Sequence, residues 1–264
     1  MENIETFITQ DGSVGLYDKN LNEIFHSKFG AKKEAFEKFV EPCFLVDNKP
    51  LKILDICYGI GYNTKCALEN FKQIEEIDCI EINPQLVKKS FEFEYSEKVN
   101  LIIKENLENP KFINFLIEDA RSAIKKLNKK YDIIFHDGFA PNKQSVLWSE
   151  DFIFQISKLM HDDTIYCTYN HSKPVLNALI KAGLRIGKTI KDDRIIGTVA
   201  SFNSDLIKNK YNELELGELN TKSAITYKDK DLNLAHEQIV LARQTEVEKS
   251  TLLSLSQYKK LNNF

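Results

Sequence analysis

Lys52-Ile-Leu-Asp-Ile-Cys-Tyr-Gly-Ile-Gly-Tyr-Asn63 decides the fold. The run from Ile53 to Ile56 has the length and apolarity of a buried strand. Glycines at 59 and 61 mark a turn, and residues 63–71 continue with helical spacing. Strand, glycine turn and helix in this order let the backbone close in on a nucleotide-like cofactor. A dinucleotide fingerprint needs a third glycine at position 64, where this chain has Thr64, so the pattern turns away from NAD. Asp55, just ahead of the turn, suits the cationic, amine-bearing end of S-adenosylmethionine better than a pyrophosphate.

Outward from that stretch, strand and helix patterns alternate. Strands are predicted at residues 52–56, 77–82, 112–117, 131–136, 164–169, 185–190 and 197–202, and helices at 64–72, 84–95, 121–127, 150–160 and 174–182. Alternation of this kind gives a mostly parallel sheet covered on both faces. The gap at 191–196 is too short for a helix, so the last two strands form a hairpin and one strand runs antiparallel. Seven strands ending this way match the α/β, Rossmann-like class I S-adenosylmethionine-dependent methyltransferase fold. Residues 1–45 read as a small β-rich cap, with short strands at 7–9, 15–17 and 24–26 and a helix at 31–40. Residues 46–202 form the main domain. Residues 203–264 are a more polar C-terminal extension, too apolar to be wholly disordered.

Composition narrows the class. With 42% apolar and 28% charged residues, the 264-residue chain is that of an ordinary globular protein. No apolar run approaches the roughly 18 residues of a membrane span, and the start lacks the basic-then-apolar order of a signal peptide. A cytoplasmic protein is expected. The five cysteines lack CxxC spacing, so neither zinc nor a disulfide framework is expected and no metal is assigned. The net charge of -3 gives no global nucleic-acid signature. Two local basic runs, 121–130 and 181–194, stand out, and the first of them, with the C-terminal extension, is the candidate for phosphate contact.

Acidic residues fall at the predicted carboxyl ends of successive strands, the edge where open α/β sheets bind ligands. Glu81 ends the second strand and suits ribose hydroxyls. Asp119 follows the third, where an acidic oxygen accepts from an exocyclic purine amine. Asp137 and Gly138 end the fourth, beside the methyl donor, and His136 faces the other way as a structural residue. Phe139-Ala-Pro141 forms an apolar lip after Asp137.

Phe135-His-Asp-Gly-Phe-Ala-Pro-Asn-Lys143, with Leu147-Trp148 following, resembles the signature of MnmC-like methyltransferases, the half of a bacterial bifunctional enzyme that completes 5-methylaminomethyl-2-thiouridine at the tRNA wobble position. Phe25-His-Ser-Lys-Phe-Gly-Ala-Lys-Lys-Glu-Ala35 is similar to a second family pattern, and the resemblance covers roughly residues 7–202. Residues 217–229 resemble a tail of some stand-alone members. The family's glycine loop usually opens Glu-x-Gly or Asp-x-Gly, whereas here Cys57 stands at the glycine. No second glycine fingerprint for an FAD-dependent oxidase half is present.

The resemblance implies methyl transfer alone, from S-adenosylmethionine to an aminomethyl(-2-thio)uridine made by separate enzymes. It implies a cofactor site of Glu34, Asp55, Tyr58, Gly59, Gly61, Asn63, Glu81, Ile82, Asp119, Ala120 and Asp137. Asp137 is the catalytic candidate, orienting the attacking amine. Phe139, Pro141, Lys143 and Trp148 are candidates for holding the tRNA anticodon loop, since single-stranded bases are held by stacking and cationic contacts. Two other readings compete. A spermidine-synthase-like aminopropyltransferase shares the sheet and the aspartate after the fourth strand, but carries a longer GGGDG loop. A non-catalytic cofactor- or RNA-binding module would not need Asp55, Glu81, Asp119 and Asp137 intact.

Overall fold

The computed structural model describes residues 3–20 and 22–263. Strands β1 (Ile4–Ile8), β2 (Val14–Asp18) and β3 (Glu23–Ile24) form a small antiparallel sheet. Helix α1 (Ala31–Ala35) runs on through a π turn at Phe36–Val40 and a 3-10 turn at Glu41–Val46. The main body then alternates: β4 (Leu51–Ile56), α2 (Tyr62–Asn70), β5 (Ile74–Glu81), α3 (Pro84–Ser90), α4 (Glu97–Glu108), β6 (Ile113–Ile117), α5 (Ala120–Lys126), β7 (Tyr131–His136), α6 (Glu150–Ser157), β8 (Met160–Thr168), α7 (Lys173–Lys181), β9 (Arg185–Lys191) and β10 (Arg194–Ser201). Helices α8 (Glu213–Gly217), α9 (His236–Lys249) and α10 (Leu255–Leu261) complete the chain. Among the described residues no helix is long and apolar enough to cross a membrane.

The seven strands run β6-β5-β4-β7-β8-β10-β9, with β10 antiparallel to both neighbours. This is the expected mostly parallel sheet closed by a hairpin. The order reverses between β4 and β7, which opens a crevice at their carboxyl ends. Strand residues alternate between two apolar layers. Ile53, Ile133 and Phe135 pack on one face with Phe39 and Val40, while Leu54, Ile56 and Ile134 pack on the other with Phe152 and Leu179.

The helix expected over 84–95 is interrupted. It ends at Ser90, and a further helix, unforeseen from the pattern, begins at Ser96, whose hydroxyl accepts from Val99 N–H at 3.3 Å. The buried Lys65 ammonium explains the break. It donates to the carbonyls of Ser90 (2.6 Å) and Phe93 (3.0 Å), which a continuous helix would hold internally.

The C-terminal extension is stitched to the main body. Tyr227 pairs with Ser149 in a parallel bridge, Asn177 donates to Ala224 O at 2.8 Å, and Asp229 N–H donates to Asp151 at 2.7 Å. Leu219, Ala224, Tyr227, Leu232 and Ile239 enter the apolar layer that holds Trp148 and Phe152.

Candidate active site

A cavity of about 480 Å³ opens where β4 and β7 diverge, within the range of sites that hold drug-sized ligands. Its floor is the glycine turn. Cys57, Gly59 and Gly61 have φ of 68°, 59° and 80°. At Gly59 a Cβ would find nothing closer than Phe25 at 3.8 Å, so this residue faces open space. Gly61 serves packing instead, because a Cβ there would fall inside the Tyr58 ring. Tyr58 lies under the turn with its hydroxyl 3.0 Å from Ser90 Oγ.

Glu81, Asp119 and Asp137 reach the cavity from three consecutive crossovers. Glu81 accepts from Gly59 N–H and Asn83 N–H, both at 2.8 Å, which locks the turn to β5. Burial raises its pKa despite these bonds. Asp119 caps α5, accepting from Arg121 N–H at 2.8 Å. Burial works against its charge, but the Arg121 guanidinium holds it below the usual carboxylate range. Asp137 accepts from Asn63 Nδ2 at 2.9 Å. Burial, then the negative charge of Glu34, push its pKa up to about 7, against the Asn63 bond.

Seven carboxylates line this cavity: Asp18, Glu23, Glu34, Glu81, Glu118, Asp119 and Asp137, with no Lys or Arg among its described lining residues. His26, also on the wall, is kept neutral because burial lowers its pKa to about 4. Glu23, Glu34, Glu118 and Asp119 pair with Lys143, Lys38, Lys126 and Arg121 outside the lining, but every charged group on the described wall itself is acidic, which suits a cationic ligand with hydroxyl and amine donors better than a pyrophosphate. An S-adenosylmethionine-type cofactor, with its sulfonium, ammonium and ribose, fits that donor set.

Of the predicted site residues, Glu34, Tyr58, Gly59, Asn63, Glu81, Ile82, Asp119, Ala120, Asp137 and Phe139 line the cavity together. Asp55 does not. It is buried behind the turn, accepting from Thr64 Oγ1 at 2.6 Å, and desolvation raises its pKa to about 7. It anchors the start of α2 rather than facing a ligand. Pro141 lines a neighbouring depression shared with Asn142, His171 and Tyr227. Lys143 pairs with Glu23 at 3.4 Å across the cavity mouth.

Trp148 corrects an expectation. It is fully buried, stacked on His136 with ring centroids 4.2 Å apart, and its Nε1 donates to Phe139 O at 2.6 Å, so it is core and shapes the lip from beneath. The cations of the 121–130 run all have partners within the protein. Arg121 bonds Asp119 and Asp229, Lys125 the Asp231 carbonyl, Lys126 Glu118, Lys129 Asp78, and Lys130 the carbonyls of Lys158 and Met160. In the second run, Lys181, Lys188 and Lys191 pair with Glu150, Glu215 and Glu37.

The wall residues not singled out as site candidates include His26, whose buried Nε2 has no partner among the described residues, Phe25, which meets Phe139 edge to face at 5.0 Å, and Tyr169, whose hydroxyl donates to Gly138 O at 2.9 Å. Tyr169 follows β8 at the same sheet edge as the acids, a signal open to the sequence. Phe25 and His26 come from the cap, whose docking no periodicity reveals.

Residues 85–194 match the family described as S-adenosyl-L-methionine-dependent methyltransferase. An uncharacterized protein of Methanocaldococcus jannaschii, MJ0670, is 30% identical over 95% of this chain and 75% of its own length. The tRNA 5-methylaminomethyl-2-thiouridine biosynthesis bifunctional protein MnmC of Campylobacter hominis is 25% identical over 66% of this chain, which spans only 29% of that protein. The crystal structure of MnmC2 from Aquifex aeolicus superposes with a TM-score of 0.82 at 29% identity, covering 94% of this chain and 86% of that one. A spermidine synthase, at 17% identity and a TM-score of 0.61, shares the fold alone. With an acidic cavity at the sheet's switch point and these relatives, the chain belongs to the MnmC-like family of S-adenosylmethionine-dependent methyltransferases.

Proposed function

We propose that this protein transfers a methyl group to the exocyclic primary amine of 5-aminomethyl-(2-thio)uridine at the tRNA wobble position. The observation that carries the reading is Asp137, held by Asn63 at the edge of a cavity with seven carboxylates and no Lys or Arg among its described lining residues. The acceptor is suggested by the MnmC relatives, whose name ties them to tRNA 5-methylaminomethyl-2-thiouridine biosynthesis.

When bound, S-adenosylmethionine supplies an electrophilic sulfonium methyl. Glu81 accepts the ribose hydroxyls while its hydrogen bond from Gly59 keeps the turn in place. Asp119, with Ile82 and Ala120 beside it, takes the purine. Asp137 holds the acceptor amine, with Asn63 fixing one carboxylate oxygen and leaving the other for the substrate. Burial raises the Asp137 carboxyl to about 7 in the ligand-free protein, which makes it a better proton acceptor than an ordinary aspartate, while the charge of a bound sulfonium works in the opposite direction and favours its role in orienting the amine. Phe25 and Phe139 form an aromatic corner against which a base packs. Positioning of this kind supplies up to about 7–11 kcal/mol of a barrier in favourable cases.

The test is incubation with S-adenosylmethionine and tRNA carrying 5-aminomethyluridine, followed by mass spectrometry of the wobble nucleoside. One added methyl is expected. An unchanged nucleoside, or aminopropyl transfer from decarboxylated adenosylmethionine to putrescine in a parallel reaction, would overturn the proposal.

A further inference from the structure

We infer that the C-terminal extension is a working part of the cofactor site, with Asp229 and Arg121 acting as positioning residues for Asp119. Arg121 is shared between the two carboxylates. Its Nε and Nη2 reach Asp119 at 3.3 and 3.0 Å, and its Nη1 donates to Asp229 Oδ2 at 3.0 Å and to Leu234 O at 2.8 Å. Asp229 is fully buried, and its second oxygen accepts from Asn233 and Leu234 N–H at 2.9 and 3.1 Å. A buried carboxylate tied to one guanidinium and two backbone amides is rigid, because loss of any partner leaves charge uncompensated. The extension therefore fixes the guanidinium, and the guanidinium fixes the Asp119 carboxylate.

A second grip lies on the opposite wall. His236, at the start of α9, accepts from Ser145 N–H at 3.1 Å, and its Nδ1 lies 2.8 Å from Ser145 Oγ. Ser145 sits between Gln144 and Val146, both of which line the cavity. The short segment 229–236 thus braces the loops after β6 and β7, the two sides between which a purine would lie.

The inference rests on the proposed contact of Asp119 with the purine, and it is tested without any methyl acceptor. Binding of S-adenosylhomocysteine is compared with that of S-inosylhomocysteine, whose purine carries a carbonyl oxygen in place of the exocyclic amine. The wild type is expected to prefer the adenosyl ligand. Asp229→Asn is expected to raise the adenosyl Kd by at least about fivefold and to narrow that preference, as for a coupled site. Arg243→Gln is the control. Arg243 donates to the Ile225 and Ser223 carbonyls within the extension, so its loss should lower Tm while leaving both Kd values unchanged. Wild-type affinity in Asp229→Asn, or equal weakening by Arg243→Gln, would overturn the inference. Should Asp229→Asn fail to fold, Arg121→Lys carries the test, since it keeps the charge and loses the fork. Wild-type binding by that variant would be equally fatal. A wild type without preference for the adenosyl ligand would remove Asp119 from the purine and this role of the extension with it, while leaving the methyl acceptor untouched.

Discussion

Replacing Asp137 with Asn should make the ligand-free protein more stable and the enzyme inactive. The carboxyl is raised from 3.8 to about 7, first by burial and then by Glu34. A shift from 3.8 to about 7 corresponds to roughly 4 kcal/mol at 1.36 kcal/mol per tenfold. Asp137 is only half-buried and water in the cavity screens it, so about 2 kcal/mol is the expected size. The sign follows from linkage. A raised folded-state pKa means that stability is fully present below 3.8 and is lost as pH climbs through about 7. Asparagine carries no charge at any pH and still accepts from Asn63. The variant should therefore exceed the wild type by about 2 kcal/mol at alkaline pH, with the gap closing as pH falls toward the unfolded value.

Urea denaturation of both proteins from pH 8 to pH 5 measures this directly. Asp55, also raised to about 7, titrates in both proteins, and because its charge is the smallest named cause of the Asp137 shift, the difference reports Asp137 together with that weak coupling. Equal stabilities at pH 8, or a gap that does not change with pH, would refute the reasoning. Methyl transfer by the same variant should fall by roughly 10²–10⁴, the usual contribution of a placed acid–base group.

Two further outcomes follow from the architecture. Gly61→Ala should destabilise by about 3 kcal/mol, combining the left-handed backbone cost of about 1–2 kcal/mol with overpacking against Tyr58; a Tm within a degree or two of wild type would contradict it. Truncation after residue 205 should leave no cooperatively folding protein, because it strips buried Leu219, Ala224, Tyr227, Leu232 and Ile239 from the core at about 1.5–3 kcal/mol for each large side chain; a soluble product with a sharp urea transition would show the extension to be an appendage.

The seven-stranded sheet was legible because each strand is a short apolar run ended by a glycine, acid or turn, and hydrophobic period survives without tertiary information. The acids at the strand ends were legible for the same reason, since topology alone brings Glu81, Asp119 and Asp137 to one edge. What failed depended on side-chain direction. Asp55 lies one residue before the end of β4, and the alternation of the strand turns it toward Thr64 and away from the cavity. Trp148 is an aromatic in a loop by sequence, and only the packing of His136 beneath it shows that the loop closes over a core. The basic run at 121–130 has its neutralising partners on strands and on an extension distant in sequence, as with Lys129 on Asp78 and Arg121 on Asp229. The helix at 97–108 was hidden because the break before it is set by Lys65, whose contacts no local pattern encodes.

The cavity's charge links these points into one physical argument. Asp55, Glu81 and Asp137 all have pKa values raised with burial as the leading cause, so each costs free energy when ionised in the ligand-free protein. The fold meets part of that cost locally, through Thr64 on Asp55, backbone amides on Glu81 and Asn63 on Asp137. Asp119 differs from these three, its pKa lowered by Arg121, and Arg121 is in turn held by the C-terminal extension. The remaining negative charge lies where a sulfonium, an ammonium and an acceptor amine would converge. A cationic ligand therefore stabilises the ionised wall and is bound more tightly as the carboxyls lose their protons, which couples ligand affinity to the same pH range in which the empty protein is weakened.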